Sequence, residues 1–221
     1  MSFSAFRVRN ATRLCAALLV SATCVVGAQG AILYQSALTA PPLAAGNLVG
    51  QDGWANHSGT GSFIQVDANG ANVVQGSGSR EDANVGVTPI SAGQTYYFAF
   101  DVVVSGSNAN VYFAHFKDAG TGTDFTTRVF VTPGTSGDFT FGLSPDTSSP
   151  TATWASDFSF GSKNRVVGSY AEGSNEVKLW VNPVNSSSTS LSATDPGANA
   201  TAAFALRQSS GASTQIVSNL V

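Results

Sequence analysis

Cysteine, methionine and charge are all scarce in this sequence. Its two cysteines, Cys15 and Cys24, both lie within the first thirty residues, and its single methionine is Met1. Beyond residue 30 the chain therefore has no thiol for a disulfide, a metal–thiolate site or a cysteine nucleophile. Without further methionines it also lacks the flexible, Met-lined groove that many promiscuous peptide-binding proteins use.

Charged residues make up only 10% of the chain, against roughly 25% in average domains. The formal net charge is −3, and no run of Lys or Arg follows residue 30. Because nucleic acids are bound through clustered Lys and Arg that neutralise phosphates, this composition excludes nucleic acid as a partner. Gly, Ser, Thr and Asn fill the polar positions instead, which is typical of an extracellular β protein with many turns.

The first thirty residues have the order of a secretory signal peptide. Three arginines precede an apolar run over residues 14–26, and small residues follow that run. The apolar run is shorter than the ~20 residues that a membrane-spanning helix needs. We therefore predict a signal peptide over residues 1–30 that is cleaved near residues 28–30. The mature chain, residues 31–221, is then expected in the extracellular space or the periplasm, with no transmembrane segment.

Apolar and polar residues alternate with a period of two in most of the remaining chain. Over residues 94–104 this alternation places five apolar side chains on one face of an extended strand: Tyr96, Phe98, Phe100, Val102 and Val104. The same pattern recurs at residues 139–143 and 177–181. Further strands are expected at 31–36, 62–66, 71–75, 83–88, 110–117, 126–132, 151–158, 165–171, 202–208 and 213–221.

Turn clusters rich in Gly and Ser separate these short strands. Many short strands at such spacing indicate an all-β chain that folds as an antiparallel β-sandwich or jelly roll. The low-complexity stretch over residues 185–202 is expected to be a long surface loop rather than a linker, because only about 20 residues follow it. We therefore predict a single domain over residues 31–221.

Several segments together are similar to one group of domains. They are residues 46–54, 128–131, 139–144, 175–183 and 203–208. This set resembles the secreted bacterial laminin-G-like (LamG) domains, which have the concanavalin A-like lectin/glucanase sandwich. The resemblance extends over nearly all of the mature chain and implies that fold for it. Because the shared motifs are structural, the resemblance implies a fold and an exported protein, and it implies no particular activity.

The carboxylates of this sequence do not form a recognisable catalytic pattern. Glycoside hydrolysis needs two carboxyl groups, about 5–5.5 Å apart in retaining enzymes. The chain has three glutamates, Glu81, Glu172 and Glu176, and none has the Glu-x-Asp-x-x-Glu spacing of the glucanase-type members. A hydrolytic triad would have to use His57 or His115, and the chain has no Gly-x-Ser-x-Gly elbow. We therefore favour a non-catalytic protein.

Carbohydrate binding would require exposed aromatic rings and polar side chains nearby. Trp54 and Trp180 lie in the family-like segments, so both are expected to pack against the sandwich. Trp154 lies outside those segments, and Asp157 is close to it on the alternating pattern. We predict that Trp154 and Asp157 contribute to a ligand site for a glycan or another cell-surface component. A secreted polysaccharide-degrading glycosidase of the same fold and a purely structural envelope or matrix protein are the alternatives.

The loop over residues 117–124 contains the candidate metal ligands. Asp118 and Asp124 flank a Gly-rich turn, and hard cations such as calcium are bound by several such oxygen ligands. The alternative is that these carboxylates accept hydrogen bonds from the backbone of their own turn. No other cofactor is expected, and the oligomeric state is left open by the sequence.

Overall fold

Fifteen β-strands run through the residues that the computed structural model describes, which are 31–107, 109–197 and 199–221. The predicted signal peptide, with both cysteines, lies outside the described residues. In chain order the strands are β1 (Gly46–Asn47), β2 (Trp54–Ser58), β3 (Gln65–Val66), β4 (Ala71–Val74), β5 (Asp82–Gly86), β6 (Thr95–Ser105), β7 (Val111–Lys117), β8 (Phe125–Pro133), β9 (Phe139–Ser144), β10 (Ala152–Thr153), β11 (Lys163–Ala171), β12 (Glu176–Val181), β13 (Leu191–Thr194), β14 (Ala203–Leu206) and β15 (Thr214–Ser218).

These strands form two sheets in which the paired strands are antiparallel. The eight-stranded sheet has the order β1-β3-β4-β15-β6-β11-β12-β13, and the seven-stranded sheet has the order β10-β9-β8-β7-β14-β5-β2. Residues Ile32–Val221 form one compact unit. The predicted all-β antiparallel sandwich is confirmed. No helix in the described part of the chain has the length and apolar character needed to cross a membrane.

Phenylalanine rings from both sheets meet in the core. Phe98 of the eight-stranded sheet lies 4.9 Å from Phe116 and 5.1 Å from Phe204, both of the seven-stranded sheet, measured between ring centroids. Phe100 packs in the same way on Phe113, at 5.8 Å. All five apolar residues that alternate along β6 are buried. The alternation in the sequence therefore identified the core face of this strand correctly.

Gly168 of β11 provides the space in which the ring of Phe98 lies. The two residues are cross-strand partners in the pairing of β11 with β6. A β-carbon built on Gly168 would collide with the tip of the Phe98 ring. The absence of a side chain at this position thus lets a large ring lie flat against the neighbouring strand.

Irregular pairing in β7 alters which side chains reach the outer face of the seven-stranded sheet. The register with β8 shifts between Tyr112 and Ala114 and again between Ala114 and Phe116. As a result, Phe113, Ala114 and Phe116 all belong to the core. His115 and Lys117, which flank the core residue Phe116, point to the opposite side of the sheet, and Tyr112 packs on His115 there; all three are buried.

The strand predictions fail mainly at the edges of the two sheets. β1, β2 and β13 were not predicted, and β13 falls inside the stretch 185–202 that was expected to be a loop. All three are outermost strands, each paired on one side only. Conversely, the strand expected over 151–158 is reduced to Ala152–Thr153, because the following residues turn back toward the hairpin that joins β8 to β9.

Candidate functional site

Three side chains on adjacent strands lie side by side on the outer face of the eight-stranded sheet. Ser169 of β11 is the cross-strand partner of both Tyr97 in β6 and Lys178 in β12. Their chain neighbours Phe98 and Leu179 are buried in the core. Since successive side chains of a strand point to opposite faces, Tyr97, Ser169 and Lys178 point away from the core.

Trp180 completes an aromatic pair on this face. Its ring centroid lies 6.5 Å from that of Tyr97, with an angle of 35° between the ring planes. Tyr97 is 63% exposed, which is unusual for so large an apolar ring. The two rings border an open cavity of about 500 Å³. We call it the Tyr97 groove; its lining includes Tyr97, Val167, Ser169, Glu176, Lys178, Trp180, Pro183, Val184 and Asn185.

Polar groups surround the rings of the Tyr97 groove. Lys178 and Glu176 form an ion pair at 3.0 Å, and both side chains are about one-third to two-fifths exposed. An exposed ion pair of this kind contributes at most about 1 kcal/mol, so either partner can turn to a ligand at little cost. Asn185 adds an amide from the turn after β12, where Ser188 Oγ accepts hydrogen bonds from the backbone N–H groups of Val184 and Asn185.

This combination of groups suits a saccharide. The C–H faces of a sugar ring can pack on the exposed ring of Tyr97 and the partly exposed ring of Trp180, while its hydroxyls bond the polar groups around them. Binding sites of this kind combine apolar walls with a few placed polar groups. The lining of the groove offers one carboxylate, Glu176, whereas glycoside hydrolysis by the usual route requires two.

Trp154 and Asp157, the predicted ligand residues, lie on the other sheet, next to β9. Trp154 is partly buried against the core, and its backbone N–H donates to the carbonyl of Phe141 at 2.8 Å. Asp157 Oδ2 accepts the backbone N–H groups of Ser136 and Gly137 at 2.6 and 2.7 Å. These bonds lower the pKa of the Asp157 carboxyl, Ser136 contributing most. Asp157 thus stabilises the β8–β9 hairpin through these hydrogen bonds. Its part in ligand binding stays a prediction.

Asp118 and Asp124, the predicted metal ligands, lie together in the loop between β7 and β8. Asp118 Oδ1 accepts the backbone N–H of Asp124 at 3.3 Å. The buried ammonium group of Lys117 donates to the carbonyls of Asp118 and Gly120 at 2.6 and 2.8 Å, so these oxygens already have a cation beside them. No cluster of three or more His, Cys, Asp or Glu side chains suited to a metal occurs in the described residues. Calcium binding here stays a prediction.

Two other residues weighed from the sequence have structural positions. Trp54 is buried, and its Nε1–H donates to the hydroxyl of Tyr34 at 2.9 Å. His115 is buried beneath the outer face of the seven-stranded sheet, and its Nδ1 lies 3.1 Å from the carbonyl oxygen of Phe116. Burial lowers the pKa of His115 to about 3, so the ring is neutral at physiological pH.

Trp180 was expected to pack against the sandwich; it lies outside the core cluster and is partly buried on the outer face. Its neighbours Leu179 and Val181 face the core, whereas Trp180 faces outward with Lys178. The alternation of β12 contained this information, since Lys178 and Trp180 have the same parity. The proximity of Trp180 to Tyr97 could not be inferred from the sequence. β11 lies between β6 and β12, and neither strand's sequence specifies which strands are its neighbours.

Comparisons with known proteins place the chain by fold alone. No protein-family model matches it, and no curated protein matches it in sequence. Among solved structures, the chain is similar to a sialidase with a TM-score of 0.54 and 11% identity, over 84% of this chain and 18% of that one. It is also similar to the alginate lyase from Corynebacterium sp., with a TM-score of 0.51 and 14% identity, over 73% of this chain and 81% of that one.

Lectin II from Ulex europaeus is a more distant match. It has a TM-score of 0.48 and 12% identity, over 79% of this chain and 94% of that one. The chain has the concanavalin A-like lectin fold, as its two antiparallel sheets and the sialidase and alginate lyase similarities indicate. At such low identities the matches carry no residue of any site to this chain.

Proposed function

We propose that this protein is an exported, non-catalytic β-sandwich that binds a carbohydrate in the Tyr97 groove. The observation that carries the proposal is the pair of outward rings, Tyr97 and Trp180, which border an open cavity of about 500 Å³. The Tyr97 ring is 63% exposed and lies in a groove with polar walls. Exposed apolar surface with a polar rim is typical of a binding site.

The fold adds general support. Two structures with TM-scores above 0.5 are named as a sialidase and an alginate lyase, and both names denote enzymes that act on carbohydrates. Export is supported by the order of basic, apolar and small residues in the first thirty positions. A chain without cysteine after residue 30 is also independent of the redox state of the compartment in which it folds.

A glycan array, followed by titration of the strongest binder, tests this proposal. Trp180→Ala removes one wall of the groove without leaving a hole in the core, since the ring lies on the outer face. Truncating an aromatic residue at the centre of a binding site costs about 2 kcal/mol, which corresponds to roughly a 30-fold higher Kd. We expect this loss for Trp180→Ala and a similar one for Tyr97→Ala, measured by isothermal titration calorimetry.

Trp154→Ala is the matched control, because it removes the same side chain from the other sheet. We expect this variant to bind the glycan with unchanged affinity once its folding has been checked by circular dichroism. A loss confined to Trp154→Ala would move the site to the predicted Trp154 and Asp157 surface. Binding with and without calcium tests the Asp118 and Asp124 prediction. Release of reducing sugar from the bound glycan would favour the glycosidase alternative, and absence of glycan binding would favour a structural role.

A further inference from the structure

A second surface with unusual chemistry lies on the outer face of the seven-stranded sheet. Tyr112 of β7 is at its centre, with its ring 5.4 Å from Phe130 of β8 and 5.6 Å from His115, measured between centroids. Phe125, at the start of β8, lies 4.5 Å from His115. These rings of β7 and β8 lie side by side away from the core; Tyr112, Phe130 and His115 are buried, and Phe125 is partly exposed.

Two arginines lie over the same tyrosine ring. The guanidinium carbon of Arg207 is 4.2 Å from the centroid of Tyr112, and that of Arg128 is 5.1 Å from it. Arg128 also lies 5.5 Å from the centroid of Phe125. Cation–π contacts of this kind hold each guanidinium in place. They also bring two positive charges close together in a chain where charged residues are rare and acidic ones outnumber basic ones.

Among the described residues, one ion pair within 4 Å involves these two arginines, and Asp146 and Asp195 act on Arg128 at longer range. Arg207 Nε lies 3.9 Å from Asp82 Oδ2, near the outer limit of an ion pair. Asp82 meanwhile accepts the backbone N–H of Gln208 at 2.8 Å and the hydroxyl of Ser58 at 3.0 Å. Its carboxylate is thus shared among several donors, and it lies on the Arg207 side of the pair.

Arg128 lacks even such a partner for its Nε group. This atom is buried and has no hydrogen-bond acceptor among the described residues. A buried donor without an acceptor costs about 1–3 kcal/mol. Burial, the largest influence, lowers the pKa of Arg128; the charge of Arg207 acts in the same direction, and Tyr112, Asp146 and Asp195 act against it. His115, neutral at physiological pH, adds no further positive charge.

We propose that Arg128 and Arg207 form a subsite for the oxyanion of an acidic saccharide, either a carboxylate or a sulfate ester. A planar guanidinium offers two parallel N–H groups to such an anion, and an anion between the two arginines would relieve their mutual repulsion. The partly exposed ring of Phe125 provides an apolar border for a sugar ring, while the buried Tyr112 ring lies beneath the two guanidinium groups. This subsite lies on the opposite sheet from the Tyr97 groove, so the inference does not rest on the carbohydrate proposal for that groove.

The test compares three oligosaccharides on the full protein by isothermal titration calorimetry. They are oligogalacturonate, which has carboxylates, a chondroitin sulfate oligomer, and an uncharged cello-oligosaccharide. We expect an acidic oligomer to bind, to bind more weakly as salt is raised, and to lose at least ten-fold in affinity in both Arg128→Gln and Arg207→Gln. Arg165→Gln removes a guanidinium that pairs with Asp101 on the other sheet, and this control should leave the affinity unchanged.

Each remaining outcome has a defined meaning. Preference for the carboxylate or the sulfate ester identifies the anion and supports the subsite. Failure of both acidic oligomers to bind at low salt, or an equal loss in Arg165→Gln, would overturn it. If the Gln variants do not fold, phenylglyoxal labelling of the unaltered protein tests the subsite instead. The acidic oligomer should slow the modification of Arg128 but not that of Arg165. Loss of neutral-glycan binding in Trp180→Ala reports separately on the Tyr97 groove.

Discussion

A single methyl group placed at Gly168 tests the packing of the two sheets. Gly168→Ala would put a β-carbon against the tip of the Phe98 ring, where the nearest atoms are Cζ, Cε1 and Cε2. That ring cannot easily move away, because Phe116 and Phe204 lie 4.9 and 5.1 Å from its centroid. Gly168 has no positive φ, so the backbone itself would accept alanine.

Two effects of opposite sign determine the size of the change. Overfilling a packed core costs typically about 1–3 kcal/mol. Replacing glycine by alanine in a compatible conformation returns about 0.4–1 kcal/mol by restricting the unfolded chain. We therefore expect Gly168→Ala to lower the free energy of unfolding by roughly 1–2 kcal/mol, with a Tm lower by about 2–8 °C for a protein of this size.

Urea denaturation followed by tryptophan fluorescence measures this change. Phe98→Leu removes the ring atoms that the new methyl group would meet, so the penalty for Gly168→Ala should shrink in the double variant. Gly86→Ala is the matched control, because its nearest atom would lie at 4.0 Å and its residue is exposed. A Gly168→Ala protein as stable as the parent, or a penalty that Phe98→Leu leaves intact, would refute the packing argument.

Two further predictions concern loops. Asp157→Asn should lower the melting temperature at neutral pH because the carboxylate holds the backbone N–H groups of Ser136 and Gly137. Its pKa is lowered from 3.8, so its stabilising effect is present above that value, and the difference from the parent should disappear as the pH falls below it. Equal differences at all pH values would contradict this. Lys117→Met leaves the carbonyls of Asp118 and Gly120 without their donor. We expect the free energy of unfolding in urea to fall by about 1–3 kcal/mol and amide exchange in that loop to become faster. Unchanged exchange would contradict this prediction.

Much of the fold could be predicted from the sequence, because burial imposes alternation on strands that cross the core. β6 is the plainest case, with five alternating apolar residues that are all buried. Edge strands experience less of this constraint. In β13, Leu191 and Ala193 alternate with small polar residues in a low-complexity stretch, so their signal was weak. β2 contains few residues with high strand propensity, and its pairing is interrupted by a bulge.

The candidate site was harder to predict, because it depends on which strands become neighbours. Tyr97 and Trp180 are far apart in the sequence and meet only because β11 joins β6 to β12. Arg128 and Arg207 likewise come together over Tyr112 through the order of β8, β7 and β14. Alternation gives the face on which a side chain lies, but the position along the sheet requires the strand order and register.

The indole N–H resonances of the protein test the central claim most directly. The chain has three tryptophans, and each gives one such resonance in a proton–nitrogen NMR spectrum. On titration with the glycan that binds most strongly, we predict a shift of the Trp180 resonance, while that of buried Trp54 stays in place. A shift confined to Trp154, or no shift in any of the three at saturating glycan, would contradict the assignment of the Tyr97 groove as the binding site.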